Sequence, residues 1–266
     1  MNSKIISLLF ISLYFWICDI GHLFAGDRLS IDINQKMQRA QALYNQRETR
    51  ENLQSAIEIY KNILECIPKL GKDYNKNRAG VLVELSKCYF KMAEYHAKDY
   101  HEKAMWFEMG EEVGREAMSL DPNNVGGYYW MAQNLGEHGS ISKLYFLNKK
   151  SDFEEALKKA EELDNPHEPY DYSGIYRTLA AYHTPRFLWG DLDKALEYAQ
   201  KVENSTRCLV NLSVLADLYW EVDKKKALEY AKRIVHADLS QFPETQFENS
   251  FVKKEVAEKW SKLLKQ

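Results

Sequence analysis

The sequence predicts an all-α protein, a superhelical stack of about five helical hairpins ended by a C-terminal capping helix. Three observations carry that expectation. From about Ile31 onward, apolar residues recur at helical spacing almost without interruption. Six prolines and twelve glycines are few for 266 residues, which disfavours a sheet protein with many tight turns. The segment Lys-Ala-Leu-Glu-Tyr-Ala occurs twice, at 194–199 and 226–231, as an internal repeat would produce.

The N-terminus reads differently from the rest. Lys4 precedes an apolar run from Ile5 to Cys18, and the small residues Ala25 and Gly26 stand before Asp27. These are the parts of a secretory signal over residues 1–26, with cleavage after Ala25 or Gly26. The run is short beside the roughly 20 residues of a transmembrane helix, and an uncleaved N-terminal anchor is the alternative. A lipidated Cys18 is a third, although Trp16 and Ile17 stand where lipoprotein signals place small residues. Export to the periplasm is the expectation, with residues 27–266 forming a single helical-repeat domain.

Hydrophobic content of 45% supplies a core, and a net charge of -3 provides no basic footprint for nucleic acid. Cys18, Cys66, Cys88 and Cys208 are scattered without metal-ligand spacing, so they read as small apolar residues, not a disulfide framework.

The helical stripes follow in order. Ala56, Ile57, Tyr60, Ile63, Leu64 and Ile67 share one face, as do Phe153, Ala156, Leu157, Ala160 and Leu163 further on. Small residues on such stripes let antiparallel helices approach closely, while large ones fill the grooves between hairpins. The last amphipathic helix is expected over Gln246 to Leu264.

These segments resemble tetratricopeptide repeats. Ala56, Tyr60 and Pro68 match the second helix of a repeat, and Gly110, Gly114, Ala117 and Pro122 match it again. Counting on from Pro122 places Tyr128, Met131, Ala132 and Leu135 at first-helix packing positions. The same frame selects Leu82, Leu85, Ser86 and Tyr89, then Tyr176, Leu179 and Ala180, then Leu212, Leu215 and Ala216. The repeats are irregular, since Ala156, Ala195 and Ala227 are separated by 39 and 32 residues against roughly 34 in the ordinary repeat.

Roughly residues 100 to 203 are also similar to a bacterial exported tetratricopeptide family. It includes the T component associated with tripartite ATP-independent periplasmic (TRAP) transporters. The shared residues are Tyr129, Trp130, Ala132, Asn134, Leu135 and Gly136, then Tyr176, Arg177 and Leu179. Pro185, Gly190, Asp191, Lys194 and Ala195 follow. Ala180 stands where that family usually has Gly, and the insertion before Asp191 is shorter. The resemblance implies a periplasmic solute-binding protein as partner, a hydrophobic ligand passing along the groove, and oligomerising relatives.

Within the repeat frame, Gly126, Tyr129 and Gln133, then Gly174, Arg177 and Ala181, then Ser213, Asp217 and Trp220 face the concave side. The inward aromatics form a floor with Gln133, Arg177 and Asp217 above it, suited to an extended peptide or an amphipathic small molecule, and Tyr129 and Trp130 are the aromatics expected to touch the ligand. Arg177 on an apolar face requires either a carboxylate within the fold or an anionic ligand group. Asn134 is expected to bridge backbone inside the stack. The Thr184–Asp191 loop carries Phe187 and Trp189 as a lid on the stack or a partner contact, and Asp191 is the expected N-cap of the next helix.

The sequence offers no catalytic site. His96 and His101 have the wrong spacing for a metal pair, and GxSxG, P-loop and GxGxxG motifs are missing. Asn204-Ser205-Thr206 and Asn211-Leu212-Ser213 fit the glycosylation triplet, the second in mid-helix. The reading is an exported, non-catalytic scaffold without metal or cofactor. It docks a solute-binding protein through its concave groove, and a homo-oligomer is compatible. A general envelope assembly or secretion scaffold, or a carrier of a hydrophobic small molecule, are the alternatives.

Overall fold

The computed structural model describes residues 31–67, 73–185, 190–203 and 208–264. The expected signal over 1–26 with Cys18, together with Pro68, Phe187, Trp189 and the triplet at Asn204, lies outside those residues.

The chain is all-α, with no strand among the described residues. Helix α1 occupies 31–45. It is followed by α2 (Arg50–Cys66), α3 (Tyr74–His96), α4 (Tyr100–Leu120), α5 (Val125–Ile141) and α6 (Lys143–Leu163). Then come α7 (Tyr170–His183), α8 (Leu192–Glu203), α9 (Leu209–Tyr219), α10 (Lys224–His236) and α11 (Gln246–Lys259). A 3-10 turn at Leu239–Gln241 separates the last two.

Local chemistry sets these boundaries. Thr49, Asp99, Asn124 and Asp223 accept hydrogen bonds from the first free backbone N–H groups of α2, α4, α5 and α10. Ser142 closes α5 and caps α6, so a single residue joins those helices. Asp191 accepts from Lys194 N at 3.2 Å, the cap expected of it. Pro122 lies in the short turn between α4 and α5.

Successive helices pack against one another from α2–α3 to α9–α10, and Ala40 and Tyr44 of α1 share a core cluster with Leu53 and Ala56 of α2. Most packing positions picked out by the repeat frame are buried, including Leu82, Leu85, Tyr89, Met131, Ala132, Leu135, Leu179, Ala180, Leu215 and Ala216. Tyr128 is the exception, half-buried while its neighbour Tyr129 takes the buried place. The glycines explain how closely α4 meets α5. A Cβ on Gly114 would stand 2.9 Å from the Met131 Cα, and one on Gly110 would overlap the Asn134 amide. Asn134 bridges backbone as expected, donating to Trp130 O and Ser86 O.

Three apolar clusters run along the stack, one under α1–α4, one under α3–α7 and one under α7–α11. Cys88 and Cys208 are buried and Cys66 is half-buried, all as free thiols, with burial pushing Cys88 and Cys208 up. No helix among the described residues is long and apolar enough to cross a membrane.

The C-terminal helix departs from expectation twice. It ends at Lys259, and a turn carries the chain on to Leu264. It packs on α9 and α10 as a cap would, but it also reaches back across the stack. Glu248 accepts from Arg47 Nε, 201 positions away, at 2.7 Å and lies 3.0 Å from Lys91 Nζ. Charge pairing with the first hairpin, invisible to a periodicity argument, therefore turns the cap into a clasp.

That clasp has a pH signature. Burial alone would raise the Glu248 carboxyl, but Lys91 and Arg47 outweigh it and hold its pKa down to about 2. A depressed pKa contributes stability that is full above the ordinary carboxyl range and is lost as pH falls towards about 2. The wild type is expected to lose melting temperature between roughly pH 4.5 and 2, and Glu248→Gln to show a shallower slope there. Parallel slopes in a thermal melt series would remove Glu248 from the clasp.

Candidate binding face: the inner cavity

Odd-numbered helices contact one another along the stack, α3 with α5, α5 with α7, α7 with α9 and α9 with α11. Even-numbered helices make no comparable contact with each other among the described residues. The stack therefore curves with its odd helices inside, and α11 joins them as a further inner helix.

The centre of this face is a network around Asp171. Tyr129 Oη donates to Asp171 Oδ2 at 2.6 Å, and Arg177 Nη2 donates to the same oxygen at 2.9 Å. Arg177 Nη1 donates to Asn211 Oδ1 at 2.7 Å, while Asn211 Nδ2 donates to Tyr172 O at 2.7 Å. Trp130 Nε1 donates to Tyr170 Oη at 3.0 Å. These bonds tie α5, the start of α7 and α9 together.

The network holds an unusual backbone. Asp171, Tyr172 and Ser173 have φ of 48°, 55° and 68°, a turn of left-handed helix without glycine. Each such residue costs roughly 1–2 kcal/mol. Side-chain bonds to Asp171 and Tyr172 offset that cost, and Gly174 follows because a Cβ there would stand 2.4 Å from Tyr129 Oη. Strained segments held by surrounding bonds concentrate at functional sites.

Burial works against the charge on Arg177, yet the Tyr129 phenol and Asp171 carboxylate more than offset it, so its pKa lies above the ordinary value. Burial beside Asp171 likewise pushes the Tyr129 phenol well up. Both groups keep their protons throughout the physiological range.

Three cavities border this segment, and two of them are lined by Asp171 itself. One of about 1450 Å³ lies between α3, the loop before α7 and α8, lined by Glu84, Lys87, Trp130, Tyr170, Tyr176 and Lys201. The other, about 540 Å³, lies towards the first hairpin, with Arg47, Lys91 and Arg177 on its walls. Lys87, Asp171, Tyr172 and Glu244 line both. Tyr172 Oη donates to Glu244 Oε2 at 2.5 Å, a strut between them.

An apolar pocket of about 480 Å³ lies between α5, α6 and α7, lined by Ala132, Gly136, Phe146, Phe153 and Tyr182. Gln133 and Thr178 hydrogen-bond to one another at its edge. Glu137 also lines it, and burial together with the Glu94 charge pushes that carboxyl up to about 7.

The residues expected to bind thus fall into three groups. Tyr129, Trp130 and Arg177 come together in the Asp171 network, with Tyr129 and Trp130 almost wholly buried. Gln133 belongs to the apolar pocket. Asp217 and Trp220 lie under α11, Asp217 accepting from Lys259 Nζ at 2.6 Å and Trp220 edge-on to Trp260 at 4.8 Å. Of the two partners left open for Arg177, this structure supplies the carboxylate within the fold. Sequence reasoning misses Asp171, Tyr172, Asn211 and Glu244, because left-handed non-glycine residues leave no periodic signal. The only local sign is Pro169, which stands at the N-cap just before the left-handed turn. Among the described residues, no cluster of His, Cys, Asp or Glu converges as metal ligands do.

The fold and this inner face define a tetratricopeptide-like helical-repeat protein. The crystal structure of TTC0263, a thermophilic TPR protein in Thermus thermophilus, is similar to it with a TM-score of 0.56 and 17% identity. That match covers 85% of this chain and 97% of that one, and it shows the fold alone. A search of curated proteins returns no match. The family model described as regulator of microtubule dynamics protein 1-3 matches residues 36–176, more than half of the chain. The chain belongs to that family.

Proposed function

We propose that the protein is a non-catalytic scaffold that docks a segment of a protein partner in the inner cavity. The volume of about 1450 Å³ carries this reading. It exceeds the roughly 300–1,000 Å³ of an ordinary small-molecule pocket, and its aromatic walls with charged residues at intervals suit a peptide segment.

The finer reading is an exported protein whose partner is a periplasmic solute-binding protein of a TRAP-type transport system. The signal-like N-terminus and the motifs around Tyr129 and Tyr176 support it. Membership of a family of regulators of microtubule dynamics supports a second reading, in which the partner belongs to that machinery. The apolar pocket supports a third, a carrier of a hydrophobic small molecule.

A photo-crosslinking residue, benzoylphenylalanine, in place of the exposed Glu168 tests these readings in the native extract. The expected result is capture of a solute-binding protein, abolished by Lys87→Glu while the helical circular dichroism is retained. Capture of a microtubule component with the same Lys87 dependence would replace the finer partner. Capture of nothing dependent on Lys87 would sink the scaffold reading.

A further inference from the structure

We infer that the seam between α3 and α11 is a docking site for an amphipathic partner helix that carries an aromatic residue directly followed by a carboxylate. The chain's own Phe247 and Glu248 fill that site in this structure. The inference does not depend on the cavity reading, and either can fail alone.

The two sides of the seam are built differently. On one side α11 packs closely on α9 and α10, with Val252, Val256 and Trp260 buried in the last apolar cluster. On the other side it meets α3 and the α1–α2 corner through side-chain ends. Neither apolar cluster of the first half includes a residue of α11, and the last cluster includes none of α1 to α4. Parting the seam therefore leaves all three cores intact.

What crosses the seam is a compact recognition set. Glu248 is 4% exposed and bonded by both Arg47 and Lys91. Phe247 stacks on His96 with centroids 6.0 Å apart and meets Tyr95 edge-on at 5.1 Å. Phe251 lies on Tyr95 at 4.9 Å and remains 43% exposed, an apolar ring already open to solvent.

The chemistry of the partner follows from this set. Arg47 and Lys91 face the single Glu248 carboxylate, so the receptor side keeps a surplus of positive charge. Removing Glu248 without replacement strands buried cations, which is strongly unfavourable, so an incoming helix needs its own carboxylate. The ring before it fills the space between Tyr95 and His96, as aromatic anchors do in helix-in-groove recognition.

The test uses the full-length chain and a fluorescent peptide with the sequence of residues 244–259, read by anisotropy. Glu248→Ala is expected to bind the peptide at least about ten-fold more tightly than wild type, because its own clasp no longer competes. Adding Arg47→Ala should remove the gain, as should replacing the peptide's glutamate at position 248 with glutamine. Equal affinity of wild type and Glu248→Ala for the peptide would overturn the inference, as would no binding by either. Should Glu248→Ala fail to fold, the exposed position serves instead. Phe251→Ala is then expected to gain about three-fold, and no gain there overturns the inference equally.

Discussion

Arg177→Ala is expected to lower the melting temperature by roughly 10 °C, corresponding to about 3–5 kcal/mol for a broken buried pair. Arg177 bonds Tyr129, Asp171 and Asn211 at once, and its own side chain is 12% exposed. Without it, the Asp171 carboxylate loses its cation, and Asn211 loses this donor across the α7–α9 contact. The left-handed turn then loses bonds that offset its strain. Arg177→Lys should recover only part of the loss, because an ammonium lacks the fork that reaches both Asp171 and Asn211. Differential scanning calorimetry reads the outcome. An unchanged melting temperature would return Arg177 to the alternative left open by the sequence, a ligand-binding cation.

The second large effect is expected from one added methyl group. Gly114→Ala places a Cβ 2.8 Å from the Met131 Cβ and 2.9 Å from its Cα. Backbone cannot rotate away as a side chain does, so α4 and α5 must separate, at a cost of about 2–3 kcal/mol. Gly80→Ala is the matched control. It lies inside α3 with nothing within 4 Å of its missing Cβ, and should stabilise by roughly 0.5–1 kcal/mol through helix propensity alone. Opposite signs for the same substitution, in denaturant melts of both variants, are the predicted outcome. A Gly114→Ala variant as stable as the wild type would mean that the α4–α5 approach is looser than described, and a destabilised Gly80→Ala would mean that the space around Gly80 is not open.

Much of the fold is legible in the chain itself. The small residues Gly110, Gly114, Ala132 and Ala180 mark helix contacts because close approach excludes larger side chains, a constraint written into the chain locally. The helix start at Asp191 is readable for the same reason, since a capping side chain serves N–H groups two or three residues away. The site is legible only in part. Tyr129 and Arg177 can be placed on the inner face by counting turns, but not assigned partners, because Asp171 and Asn211 come from other parts of the chain.

The sequence by itself determined that this protein is a stack of helical hairpins and most of the positions that pack, although Tyr129, counted onto the open concave face, is buried. Periodicity and capping are properties of neighbours along the chain. Tertiary structure alone decided that α11 clasps the first hairpin, that Asp171–Ser173 turn left-handed, and that Arg177 finds its carboxylate inside the fold. Those features depend on charges and contacts that only folding brings together. Glu248 and Arg47 lie 201 positions apart, a separation across which no local pattern specifies a partner.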